Sequence, residues 1–192
     1  MNQFNFPYLI VIVALLLNAC ATTDVTPQSQ KMTSNTLVTQ HEWKYQSSHN
    51  YEQETPGLGY WEKYSTTFGW ADVYQYDLEQ NWQDGVSDPQ FQEHFQQVVA
   101  NVYFTERTEL YQDVKLSQVE DETLNGVTLR HAVLHYQLMG KPVESHIYLG
   151  GVQGDLLKFR ITLLLPLKLG ERESMVRFVQ KIVDKPLNKE PH

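Results

Sequence analysis

An Asn-Gly pair, Asn125-Gly126, stands between two stretches in which apolar and polar residues alternate. That arrangement admits little but an antiparallel hairpin, because a two-residue turn needs positive φ at both positions and Asn and Gly tolerate it best. The pair predicts strands over roughly 114–124 and 127–139. Gly140-Lys141-Pro142 turns the chain again into an alternating run from Val143 to Leu149. A Gly-rich loop, Gly150 to Asp155, then leads to a largely apolar strand from Leu156 to Leu165. Strands that follow one another through turns this short form an antiparallel meander.

Upstream, aromatic strand-like stretches run Trp43–Tyr45, Gly59–Ser65 and Trp70–Leu78, the first two parted by Pro56-Gly57. Ser87-x-x-Gln90 offers a capping box with Pro89 in the first helical turn, and Phe91, Phe95, Val98 and Val102 share one helical face, which predicts a helix to about Glu109. Met175, Phe178, Val179 and Ile182 likewise mark a helix over 171–183. Strands, helix, meander and helix in that order predict an α+β fold, a mainly antiparallel sheet with two packed helices. The element order resembles the PsbP-like α/β sandwich. The run GWADVYQYDL, residues 69–78, followed by the Asp84-Gly85 turn is similar to a group of uncharacterised bacterial envelope proteins. These resemblances imply a binding or assembly fold and transfer no active-site motif.

Composition narrows the classes of function. A net charge of -8 with no run of Lys or Arg removes the phosphate attraction on which nucleic-acid binding depends. One cysteine permits neither an internal disulfide nor a cysteine-based metal centre, and no cofactor motif stands out. Neither G-x-S-x-G nor H-E-x-x-H occurs.

The N-terminal 20 residues carry the sharpest signal. Tyr8 to Leu17, YLIVIVALLL, is ten apolar residues long. As a helix it spans about 15 Å, half a bilayer core, which suits the hydrophobic region of a signal peptide better than a membrane span. Leu17-Asn18-Ala19-Cys20, ending on the sole cysteine, resembles the bacterial lipobox. That resemblance implies that Cys20 receives diacylglycerol, becomes the new N-terminus and is anchored in the bilayer. Ala21, in place of the Asp that often retains such proteins in the inner membrane, implies the outer membrane of the bacterial envelope. Residues 1–7, MNQFNFP, depart from the usual pattern in carrying no Lys or Arg.

The domain organisation that follows is a signal peptide over 1–19, lipidated Cys20 and a tether to residue 40, an α+β domain over 41–184 and a tail over 185–192. The tether is rich in Thr, Ser and Gln, and as a flexible coil reaches about 20 to 25 Å from the anchor.

Two groups of residues are candidates for a site. Segment 43–82 holds eleven aromatic residues, most of them expected as core and cross-strand pairs; Trp61 and Trp82, beside turn signals, are expected to be exposed and to meet an envelope protein or glycan partner. On the meander, pairing Leu124 with Val127 sets Glu120 opposite His131 and Leu116 opposite His135. Pairing Leu138 with Val143 then sets His135 opposite His146. Glu120, His131, His135, Glu144 and His146 would share a solvated sheet face, the basis of an alternative reading as a metal-dependent or other hydrolase through His131, His135 and His146. Against a metal, His131 and His135 lie about 13 Å apart along a strand, and His135 with His146 gives two ligands where zinc takes three or four.

Overall fold

The computed structural model describes residues 42–106 and 110–185. The expected signal peptide, Cys20, the expected tether to residue 40 and, apart from Lys185, the expected tail over 185–192 lie outside the described residues.

The elements are β1 (Lys44–Asn50), β2 (Tyr60–Thr66), β3 (Gly69–Tyr76), α1 (Phe91–Glu106), β4 (Tyr111–Leu124), β5 (Val127–Leu138), β6 (Lys141–Val152), β7 (Asp155–Leu164) and α2 (Glu171–Val183). One seven-stranded sheet in the order β1-β2-β3-β7-β6-β5-β4 joins the two meanders. Every pairing is antiparallel, so the α+β class holds. α1 carries the chain from the sheet's centre to its far edge. The return through β7 beside β3 closes the topology.

Register divides the side chains cleanly between two faces. Val73, Phe159, Tyr148 and His131 form one cross-strand row; Asp72, Arg160, Ile147 and Ala132 form the next, on the opposite face. α2 covers the first face, with Met175, Phe178, Val179 and Ile182 in a core shared with Val73, Tyr148 and Phe159. α1 covers part of the second, with Phe91, Phe95, Val99 and Val102 against Ala132, Leu134, Ile147 and Leu149. Spacings of four, four and three select Val99 for the core, leaving the expected Val98 half-buried. Helix, sheet and helix thus form three layers around two cores.

The start of α1 differs from the expected capping box. Ser87 Oγ donates to the Asp84 carbonyl at 3.3 Å, whereas Asp88 Oδ1 accepts the Gln90 N–H at 2.8 Å and the Asp88 carbonyl accepts the Phe91 N–H at 3.0 Å. Asp88 therefore takes the capping role one residue later.

The meander is built on three two-residue turns with positive φ at both positions: Asn125-Gly126 (51° and 84°), Met139-Gly140 (50° and 76°) and Gln153-Gly154 (56° and 91°). The second replaces the expected Gly140-Lys141-Pro142 turn and pairs Leu138 with Lys141. His135 therefore opposes Glu144, Val133 opposes His146 and His131 opposes Tyr148. The shift is two residues, so every side chain keeps its face. Irregularities in β4 between Gln112 and Lys115 and between Leu116 and Gln118 place Lys115, in place of Leu116, opposite His135. The Gly-rich segment also differs: Gly150 and Gly151 lie within β6, where the 82–85 loop crosses it. Gly85 and Gly151 exchange hydrogen bonds of 2.9 and 2.7 Å, and a Cβ on Gly151 would stand 1.9 Å from the Gln83 carbonyl oxygen.

Candidate functional site

The histidines of β5 and β6 meet on the α2 face. His131 Nε2 lies 2.9 Å from His146 Nδ1, and His146 Nε2 lies 2.8 Å from Glu144 Oε1. Glu144 Oε2 lies 3.2 Å from His135 Nε2. From α2, Arg172 reaches back over the sheet and donates to both Glu144 oxygens at 2.7 to 3.0 Å. At the other end, His131 Nδ1 is 3.6 Å from Glu122 on β4, and its ring stacks on Tyr148 at 3.9 Å between centroids.

These distances fix the direction of the bonds. Glu144 accepts the His146 Nε2–H, so in the neutral imidazole His146 Nδ1 is an acceptor and takes the His131 Nε2–H. His131 Nδ1 then carries a lone pair directed towards Glu122. Burial and the neighbouring His146 hold His131 well below its ordinary value, at about 3, so it is neutral near neutral pH. The His146 hydrogen bond and Arg172 hold the Glu144 carboxyl down at about 2, and burial together with Glu120 pushes Glu122 up. From His131 Nε2 through His146 and Glu144 to Arg172 the row is an oriented chain of alternating donors and acceptors, whereas the buried His131 Nδ1 has no hydrogen-bond partner.

The expectation of a solvated face is corrected by the position of α2: His131, Glu144 and His146 are 7%, 4% and 3% exposed. The predicted pairing of His135 with His146 is replaced by contact through Glu144. Both His146 nitrogens are occupied within the chain of hydrogen bonds, and among the described residues no group of three or more His, Cys, Asp or Glu could hold a metal ion. Arg172 escaped the sequence reading because its place over Glu144 depends on the packing of α2.

The aromatic candidates separate. Trp82 is 3% exposed, packs with Phe91 and Phe95, and donates its indole N–H to the Asp77 carbonyl at 2.7 Å. The adjoining turn buries it against α1, so Trp82 is a core residue and not the exposed ring expected. Trp61 is half-buried on the opposite face from the histidines, and its indole N–H donates to Asp72 at 3.0 Å.

Around Trp61 lies a second polar group that the sequence analysis missed. α1 packs over β4 and β6. Beside it, Lys63, Asp72, Tyr74, Lys158 and Arg160 are all half-buried on the same sheet face. Lys158 Nζ sits 3.9 Å from the Tyr74 ring centroid, and Arg160 donates to the Tyr111 hydroxyl at 2.8 Å. Burial pushes the Asp72 carboxyl up and the Lys158 ammonium down to about 8. The legible signal was the i, i+2 pair Lys158 and Arg160 within an otherwise apolar strand.

No protein-family model matches the chain, and no curated protein does. Solved structures similar to it include two proteins. A protein of unknown function from Pseudomonas aeruginosa shares 15% identity over 67% of this chain and 78% of its own, with a TM-score of 0.33. Cyanobacterial PsbP from Synechocystis shares 9% identity over 88% of this chain and 96% of its own, with a TM-score of 0.41. The second bears the name that the element order suggested; likeness at this level assigns neither activity nor ligand.

Proposed function

We propose that this chain is a lipoprotein of the bacterial envelope with a non-catalytic binding role, held in the outer membrane through acylated Cys20 and presenting its α+β domain to an envelope protein or glycan. The observation that carries the binding role is the half-buried group around Trp61, where an indole, two cations and tyrosine rings share one sheet face. Large amphipathic rings give much contact area for little lost side-chain entropy, and buried Arg and aromatic groups dominate recognition energies. The histidine row reads as a structural strut between sheet and α2. Both His146 nitrogens, His131 Nε2 and Glu144 are spent on one another and on Arg172, and the remaining His131 Nδ1 is buried under α2, whereas a hydrolase would need such a group to reach a substrate proton.

The test is a photo-crosslinking residue placed in the lipidated protein in cells at Lys63, beside Trp61, or at Glu173, exposed on α2. Position 63 is expected to give a discrete envelope adduct that weakens with Trp61→Ala, and position 173 to give none. Equal patterns from both positions, or none from position 63, would refute the proposal.

A further inference from the structure

The charges on the Trp61 face do not balance. Lys63, Lys158 and Arg160 meet one carboxylate there, Asp72, in a chain whose net charge is -8. Among the described residues the ion pairs lie elsewhere, and none includes Lys158 or Arg160. Lys158 has ring faces as its neighbours, Tyr74 at 3.9 Å and Tyr76 at 5.4 Å. Those faces offset part of the cost of burying an ammonium but supply no counter-charge. Arg160 has phenol oxygens: its hydrogen bond goes to Tyr111, and Tyr136 is its other polar neighbour. Asp72 is held by the Trp61 indole. On the same face the hydroxyls of Tyr136 and Ser145 are buried and make no well-formed hydrogen bond.

Buried cations are normally paired, and buried hydroxyls normally bonded, because each otherwise forfeits its hydration without return. Here two cations stand at i and i+2 on one strand, about 7 Å apart, with donors left over and aromatic rings alongside. We propose that Lys158 and Arg160 form the seat of a binding site for a small oxyanion-bearing ligand, its charged group between the two cations and its flatter portion against Tyr74 and Trp61. The Arg160 fork suits a carboxylate or phosphate, and Lys158 supplies a point charge. This inference rests on the binding role proposed above and names the chemistry of its ligand.

The experiment is thermal unfolding of the full-length protein in detergent with glucuronate, glucose 6-phosphate or glucose, each against sodium chloride at equal ionic strength. Glucuronate, glucose 6-phosphate or both are expected to raise the midpoint saturably, and glucose to leave it unchanged. A response to glucuronate alone marks a carboxylate site, and a response to both a general oxyanion site. Lys158→Met is expected to weaken the response at least tenfold in ligand concentration, while the ligand-free variant unfolds no earlier than the parent, since it loses a half-buried charge that Asp72 and two ring faces offset only in part. A purely structural lysine would lower that midpoint. Arg160→Lys keeps the charge but loses the fork, and is expected to weaken binding with the fold intact. No anion-specific shift in the parent protein, or shifts unchanged in both variants, would overturn the inference. A Lys63 adduct that persists beside that failure would leave the binding role standing without its anion.

Discussion

Glu144→Ala is expected to destabilise the domain by about 3 kcal/mol, the lower end of the cost of breaking a buried ion pair from one side. In a domain of this size that lowers the thermal midpoint by roughly 6 to 12 °C. Glu144 holds three partners at once: His146, His135 and Arg172. Removing it leaves the His146 Nε2–H buried without an acceptor and releases the one bond that ties α2 to β6 by charge. The estimate sits low in the range because the Arg172 side chain is 59% exposed and recovers water when freed. Glu144→Gln keeps an acceptor for His146 and loses the charge, so about half the loss is expected, charge-assisted bonds being roughly twice as strong as neutral ones. Chemical denaturation of the two variants checks both values. An Ala variant as stable as the parent would mean that the row contributes nothing to the packing of α2.

Acid is expected to weaken the fold well before its carboxylates titrate. His131 is held down at about 3 and His94, half-buried against Trp82 and Tyr76, at about 4. An unfolded imidazole takes its proton near pH 6.5, so between that pH and about 4 the unfolded chain binds more protons than the folded one. Stability therefore falls with pH across that window, approaching about 1.4 kcal/mol per pH unit for each imidazole. Below about pH 4.5 the depressed Glu144 adds to the loss in the same direction, since its contribution disappears as pH falls towards 2. Urea midpoints should stay nearly level from pH 7.5 to about 6.5 and decline steadily from there to pH 4.5, and His131→Gln, which keeps a donor for His146, should remove about half that slope. A flat profile would contradict the burial of both imidazoles.

Much of the fold was legible in residues that leave the backbone few choices. Asn125-Gly126 announced the meander's first hairpin, and the apolar spacing of Met175, Phe178, Val179 and Ile182 placed α2 at about 171–183. Met139-Gly140 was less legible because Met at positive φ is imposed by the strands on either side, and misplacing that turn by one residue moved the register by two. The grouping of His131, His135, Glu144 and His146 on one face survived because a shift of two preserves the face. The burial of His131, Glu144 and His146 was not legible. It depends on Arg172, 28 residues from Glu144, and on where α2 lies. Trp82 illustrates the same limit, since a tryptophan beside a turn looks exposed until the helix it packs against is in place. Lys158 and Arg160 fall within a strand that reads as largely apolar, and their meaning depends on β3 and β2 placing Tyr74, Asp72 and Trp61 beside them.

The proposed function places the protein at a membrane through one residue, Cys20, and the intact mass of the protein isolated from the cell envelope tests that most directly. The account predicts a chain beginning at Cys20, heavier than its polypeptide by a diacylglycerol and an amide-linked acyl group, and a Cys20→Ser variant carrying neither. A chain that retains residues 1–19, or that begins elsewhere without lipid, would contradict it.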